Sequence, residues 1–142
     1  MKNFIYPAKI EADESGFFLV TFRDLPFAVT DGKTHQEAME SATDCLEEAI
    51  AMCIDDGVQV PLPSKQLKGE IGIVLPALMA AKAALYITIR KKRLTKAAFA
   101  RLLNVNEKEG RRLLDPHHKT KIPRINDALS LLGNKLVISM MK

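Results

Sequence analysis

The chain of 142 residues is poor in cysteine and histidine, with two of the one and three of the other, and it has no long apolar run. Cys45 and Cys53 fall on one predicted helix, about 12 Å apart along its axis. A disulfide spans Cα separations up to roughly 7 Å, so a bridge within the chain is excluded and both thiols read as small apolar side chains. Neither has enough histidine or cysteine around it for a metal site. His117 and His118 are adjacent, so they do not share a helical face, and no third ligand lies nearby. No metal and no cofactor is therefore expected. The longest apolar stretch, 71–81, is interrupted by Pro76 and is too short to span a bilayer. The segment Met1–Lys2–Asn3–Phe4–Ile5–Tyr6–Pro7 alternates and then turns acidic, unlike a signal peptide, so a cytoplasmic protein with no membrane partner is expected. Internal repeats and low-complexity tracts are missing too.

What the chain does have is a lopsided charge. Through Leu75, six basic residues stand against thirteen acidic ones, a balance of −7; from Pro76 onward, fifteen stand against four, a balance of +11. The net +4 hides this division. Such asymmetry points to two domains with different partners, 1–75 and 76–142. The basic half has the electrostatics of a nucleic-acid binder. The acidic half would repel nucleic acid and attract a basic protein.

The first half reads β-β-β-α-β. Residues 3–11 alternate, with Phe4, Tyr6, Ala8 and Ile10 on one face. Glu14–Ser15–Gly16 turns into a second strand, Phe17 to Phe22, rich in aromatic and β-branched residues. Asp24–Leu25–Pro26 breaks it, and Phe27 to Thr30 forms a short third strand closed by Asp31–Gly32. Thr34 and Glu37 make a capping box for a helix carrying Ala38, Met39, Ala42, Leu46, Ala49, Ile50 and Cys53 at helical spacing. Gly57 ends it, and 58–69 is a connector with Pro61 and Pro63 that divides the domains save for a fourth strand, Ile71 to Leu75, returned to the first. One helix on a small sheet makes this an α+β domain. The second half is all-α: helices from Ala77 to Lys92, Thr95 to Leu103, Glu107 to Asp115, and from Pro123 to a cap at Gly133. Leu136, Ile138 and Met140 alternate as a terminal strand without a partner in its own domain, so pairing with the same strand of a second subunit is expected.

The run from Leu94 to Asp115 resembles the helix-turn-helix of phage-repressor-type regulators. Thr95 caps its first helix, Ala100 is small where the helices cross, and Asn104 tolerates the left-handed turn residue. Val105 plugs the gap between the helices, Asn106 caps the recognition helix and Leu113 lies on its buried side. Gly110 departs from the pattern, which usually has a branched apolar residue there. Either the helix is loose until DNA binds or Leu114 fills the space. In such motifs the start of the second helix reads base edges in the major groove, here Asn106, Glu107, Lys108 and Arg111. Phosphate contacts are expected from Thr95, Lys96, Arg112, Lys119, Thr120, Lys121 and Arg124.

Over nearly its full length the chain resembles HicB antitoxins of the type with a helix-turn-helix tail. The resemblance is carried by Tyr6–Pro7, Gly16–Phe17–Phe18, Phe22–Arg23–Asp24–Leu25–Pro26, Thr30–Asp31–Gly32, Glu37–Ala38, Pro61–Leu62–Pro63–Ser64 and the run from His117 to Ile122. Phe27, where many relatives have glycine, is a departure. The resemblance implies a partial RNase H-like fold for the first domain, which would bind HicA, a small basic toxin that cleaves mRNA. The second domain would repress the operon by binding an inverted-repeat operator as a homodimer or homotetramer. Asp24, Asp31, Glu47 and Glu48 are the toxin-binding candidates, because acidic side chains can cover a surface that binds RNA. Leu136, Ile138 and Met140 are the dimerisation candidates.

Two other classes compete. An RNase H-like fold invites a search for metal-binding carboxylates, but nothing in the spacing of Asp13, Asp24, Asp31 and Glu47 fixes a two-metal cluster, and fold alone gives no activity. No catalytic residue and no enzyme activity is expected. A stand-alone repressor with a ligand-sensing first domain is the remaining alternative.

Overall fold

A computed structural model describes residues 3–142. Its elements are β1 (Ile5–Ala12), β2 (Phe18–Phe22), β3 (Val29–Gly32), α1 (His35–Asp55), β4 (Ile71–Val74), α2 (Ala77–Lys91), α3 (Lys96–Leu103), α4 (Glu107–Leu114) and α5 (Ile122–Leu131). They fall into two compact units, Met1–Pro76 and Ala77–Lys142.

In the first unit the strands form one antiparallel sheet in the order β3-β2-β1-β4. The β1–β2 hairpin is closed by Asp13, whose carboxylate accepts from the Ser15 amide and hydroxyl and the Phe17 amide at 2.7–3.0 Å. Those bonds stabilise the ionised form and hold its pKa below the ordinary value. Alternation then sends Tyr6, Ala8, Val20, Phe22 and Ile73 to the buried face. Helix α1 covers that face with Ala38, Ala42, Leu46, Ala49, Ile50 and Cys53, all buried. The alanines let the helix lie close. At its start a Cβ on Gly32 would come 2.4 Å from the Ala38 nitrogen, so only glycine fits there.

The capping box forms with one adjustment. The Thr34 hydroxyl accepts from the Glu37 amide at 3.1 Å, but the Glu37 carboxylate reaches the Lys33 amide, one residue before the cap. Gly57 ends the helix at φ 68°. Both cysteines are free, Cys53 buried and Cys45 half-buried, with burial pushing the thiols up in pKa.

The connector corrects an expectation. Residues 58–69 do not divide the units but lie inside the first one, fastened by three side chains. Tyr6 donates to the Pro61 carbonyl at 2.6 Å, and the Arg23 guanidinium bonds the Glu70 carboxylate and the Lys65 carbonyl at 2.9–3.1 Å. The Asp24 carboxylate accepts from the Ser64 amide and hydroxyl. These bonds satisfy polar groups that burial would otherwise strand.

The second unit packs α2, α3, α4 and α5 around Ala81, Leu85, Ile89, Phe99, Leu113, Ile125, Ala128, Leu129 and Leu132. Thr95 and Asn106 cap α3 and α4 through bonds to Ala98 and Glu109 amides, and Asn104 takes the left-handed conformation at φ 55°, ψ 44°. Gly110 is where α3 and α4 cross: a Cβ there would come 3.1 Å from the Ala100 Cβ. Helix α4 is regular, and the close approach of Ala100 takes the place of the missing side chain. Leu114 packs on the core beside it.

In the single chain no strand forms at 135–142. The Leu136 amide donates to Asn126 at 2.9 Å and its side chain packs on the unit's own core. Ile138 and Met140 are 92% and 97% exposed. A strand exists through its ladder, and one chain alone offers this segment no ladder partner.

Candidate nucleic-acid interface

Helix α4 begins at a side-chain cap and presents its first turns to solvent. Glu107, Lys108 and Arg111 are exposed, and Arg111 lies 3.8 Å from Glu107 across one turn. The Asn106 cap uses its side-chain oxygen on the Glu109 amide at 2.9 Å and leaves the amide nitrogen out of the cap. The four base-edge candidates therefore share one helix start, where unpaired amides and the positive end of the helix dipole favour an anion.

The phosphate candidates divide. Lys96, Arg112, Lys119, Lys121 and Arg124 are exposed, and Arg124 makes a 3.1 Å ion pair with Glu109. Arg112, His118, Lys119, Lys121 and Arg124 line one open groove, with Glu109 on its edge. The Thr95 hydroxyl accepts from the Ala98 amide at 3.0 Å and keeps its own hydrogen for a further acceptor. Thr120 is different: it is buried, and its hydroxyl meets the Lys82 ammonium at 2.7 Å and His118 Nδ1 at 2.8 Å. It faces inward and is not presented to an outside phosphate.

Lys82 itself escaped the sequence reading, because a lysine on an otherwise apolar helix is read as reaching out to solvent. Here it is 2% exposed. Burial lowers its pKa to about 8, with the nearby Asp115 charge acting the other way.

Of the acidic candidates in the first unit, Asp31 and Glu48 are exposed and Glu47 is half-buried. Asp24 is committed to Ser64 and to holding the connector. The sequence reading also passed over an apolar surface. Leu19, Phe27 and Val29 are exposed, and the β2–β3 register puts Leu19, Val29 and Asp31 on the sheet face opposite α1. Among the described residues, no group of three histidine, cysteine or carboxylate side chains could hold a metal ion, and no helix is long and apolar enough to cross a membrane.

The chain thus joins an acidic α+β unit to a basic helical unit with a capped, exposed helix start. Residues 5–84 match the model of the HicB-like antitoxins of bacterial toxin-antitoxin systems, and the chain belongs to that family. It is 41% identical over 135 residues to Antitoxin HicB 2 of Photorhabdus laumondii, covering 95% of each chain. It is 33% identical over 135 residues to Antitoxin HicB of Escherichia coli K12, covering 95% of this chain and 98% of the relative. Antitoxin HicB of Pseudomonas fluorescens is 31% identical over 129 residues, with 90% and 88% covered.

Proposed function

We propose that the first unit binds and inhibits a small basic HicA-like toxin that cleaves mRNA, and that the second unit binds operator DNA through a helix-turn-helix formed by α3 and α4 and represses the operon. The observation that carries the reading is the charge division of −7 and +11, which falls at Pro76, where the chain also separates into two compact units. A toxin that holds RNA presents positive charge, and the acidic unit complements it. Exposed apolar Leu19 and Val29 beside Asp31 supply area that such a partner can bury. In the basic unit Glu107, Lys108 and Arg111 stand at the start of a regular helix, flanked by lysines and arginines suited to phosphates.

One recognition helix buries too little surface for tight binding, so two copies are proposed to meet an inverted repeat. The exposed tail at Ile138 and Met140 is the segment proposed to join them, with Leu136 as its anchor. No catalytic step is assigned to the chain. The test is coexpression of residues 1–76 with the toxin, alongside DNA binding by the full chain and by that fragment. The fragment should restore growth and fail to bind the promoter that precedes the gene. Growth arrest with a folded, abundant fragment would overturn the assignment.

A further inference from the structure

Lys82 rises from α2 into the interior of the second unit and ends at the last turn of α4. Its ammonium donates to the Arg112 carbonyl at 2.8 Å, the Leu113 carbonyl at 3.0 Å and the Thr120 hydroxyl at 2.7 Å. Three N–H groups meet three acceptors, so its donor capacity is filled. Two of those acceptors are carbonyls that a helix end leaves without intrahelical partners. The third belongs to the loop after α4, between Lys119 and Lys121. A cation at this end of a helix also opposes the negative end of its dipole.

We infer that Lys82 is a positioning residue for DNA recognition: its buried ammonium fastens the end of the reading helix to the loop that carries the flanking lysines, so that base-edge and phosphate contacts stay in register. The inference rests on the proposed DNA-binding role of α4. Few other residue types suit the position. Methionine has the length but no donors, and would strand the Leu113 carbonyl and leave the Arg112 carbonyl with only the long 3.4 Å bond from the Thr120 hydroxyl. Arginine has donors in a planar fork that does not match three converging acceptors.

Charged and titratable groups around the ammonium are Asp115, whose field favours it, His118, which shares the Thr120 hydroxyl, and the exposed Arg112. The lysine pKa is lowered to about 8 by burial. Phosphates arriving at Lys119 and Lys121 favour the ammonium, so binding is coupled to keeping that proton. A lysine that served folding alone would leave the DNA affinity of the folded protein flat over that range. The free protein gains stability as the buried charge is removed at alkaline pH, while DNA affinity falls.

The experiment uses the full chain, a duplex of the promoter region preceding its own gene and a scrambled duplex, with wild type, Lys82→Met and Thr120→Val. Wild-type promoter affinity should fall as pH rises from about 7 to about 9.5, the range that brackets a lysine titrating near 8, while its thermal stability rises. Lys82→Met should bind the promoter about tenfold more weakly, with a flat profile over that range. Its amides at 114–121 should exchange faster than in wild type, while those of α3 should not. If Lys82→Met fails to fold, Thr120→Val retains the lysine and should show a smaller loss together with faster exchange at 114–121. Unchanged promoter affinity and an unchanged pH profile in a folded Lys82→Met protein would overturn the inference. So would unchanged exchange in that segment. Wild-type protein that does not distinguish promoter from scrambled DNA would instead overturn the DNA-binding reading, and the exchange data would still judge the clamp.

Discussion

The two units bury their charges in different ways. In the first, Glu70 is buried against Arg23, and the guanidinium bonds hold its carboxyl below the usual glutamate pKa. In the second, Lys82 is buried against carbonyls and a hydroxyl, and burial draws its pKa down. The pair in the first unit favours its ionised form, whereas the lone ammonium in the second is kept ionised at a cost. An opposite charge offsets more of the cost of burial, provided its geometry is good, as in the bidentate Arg23–Glu70 pair. Three neutral acceptors offset less, but they specify where a helix end and a loop must be. The first arrangement suits a connector that needs fastening, the second a surface whose parts must stay in register.

Substituting Gly32 by alanine should have the largest effect and would show whether the units are independent. The added Cβ meets backbone of α1, which has no flexible end to yield, so a loss of about 3 kcal/mol or more is expected in the first unit. In scanning calorimetry one transition should move and the other stay. Promoter binding should survive. Loss of both transitions together would show one cooperative body and end the comparison.

Next comes the proposed DNA face. Arg111→Ala should cost on the order of 1–3 kcal/mol on the promoter and relax preference at one position per half-site. Lys121→Ala should weaken promoter and scrambled DNA alike and flatten the salt dependence. A salt titration with both duplexes separates the two. Equal losses on both duplexes for Arg111→Ala would reassign it to phosphate. Toxin neutralisation should be untouched by either change.

The buried charges predict opposite pH responses. A carboxyl held below its unfolded pKa contributes stability above that value, and the contribution is lost as pH falls through the lowered one. The first transition should therefore weaken in acid, and Arg23→Met should blunt that weakening. A lysine lowered from 10.5 to about 8 binds fewer protons folded than unfolded between those values, so the second transition should rise across that alkaline window. Two transitions that respond alike to acid and alkali would dissolve the contrast. The smallest effect is expected from reversing Glu47 and Glu48 to lysine. Toxin association should slow at low salt and recover at high salt, because surface charges are screened over about 8 Å at physiological ionic strength. An unchanged association rate at low salt would put these residues off the interface.

Local chemistry was legible in the sequence alone. Thr34, Thr95 and Asn106 cap as expected, and Asn104 turns left-handed, because each acts within a few residues of itself. Alternation placed Tyr6, Ala8 and Ile73 inside for the same reason. What stayed hidden is long-range polar pairing. Asp24 reaches Ser64, Tyr6 reaches Pro61, and Lys82 reaches Thr120, and no periodicity marks a partner thirty or more positions away. Two candidate contacts, Asp24 and Thr120, thereby turn inward. Arg93 was missed differently: it adopts φ 54° between α2 and α3 without being glycine or asparagine, held by main-chain bonds back into α2. In the terminal segment alternation describes a strand's faces, and one chain holds no second copy to complete a ladder.

Strand β1 lies inside the sheet, with Tyr6 opposite Ile73 on one side and Ala8 opposite Phe22 on the other. A chain emerging from the ribosome can close the hairpin early, but one flank of its first strand stays open until β4 has been made. Once the stretch through Pro76 clears the exit tunnel, the acidic unit has all its parts while the basic unit is still incomplete and partly held in the tunnel, so the acidic unit is expected to fold first. With the proposed division of labour, the chain gains its capacity to capture a toxin before its capacity to silence a promoter, and a nascent copy protects the cell ahead of shutting down its own supply.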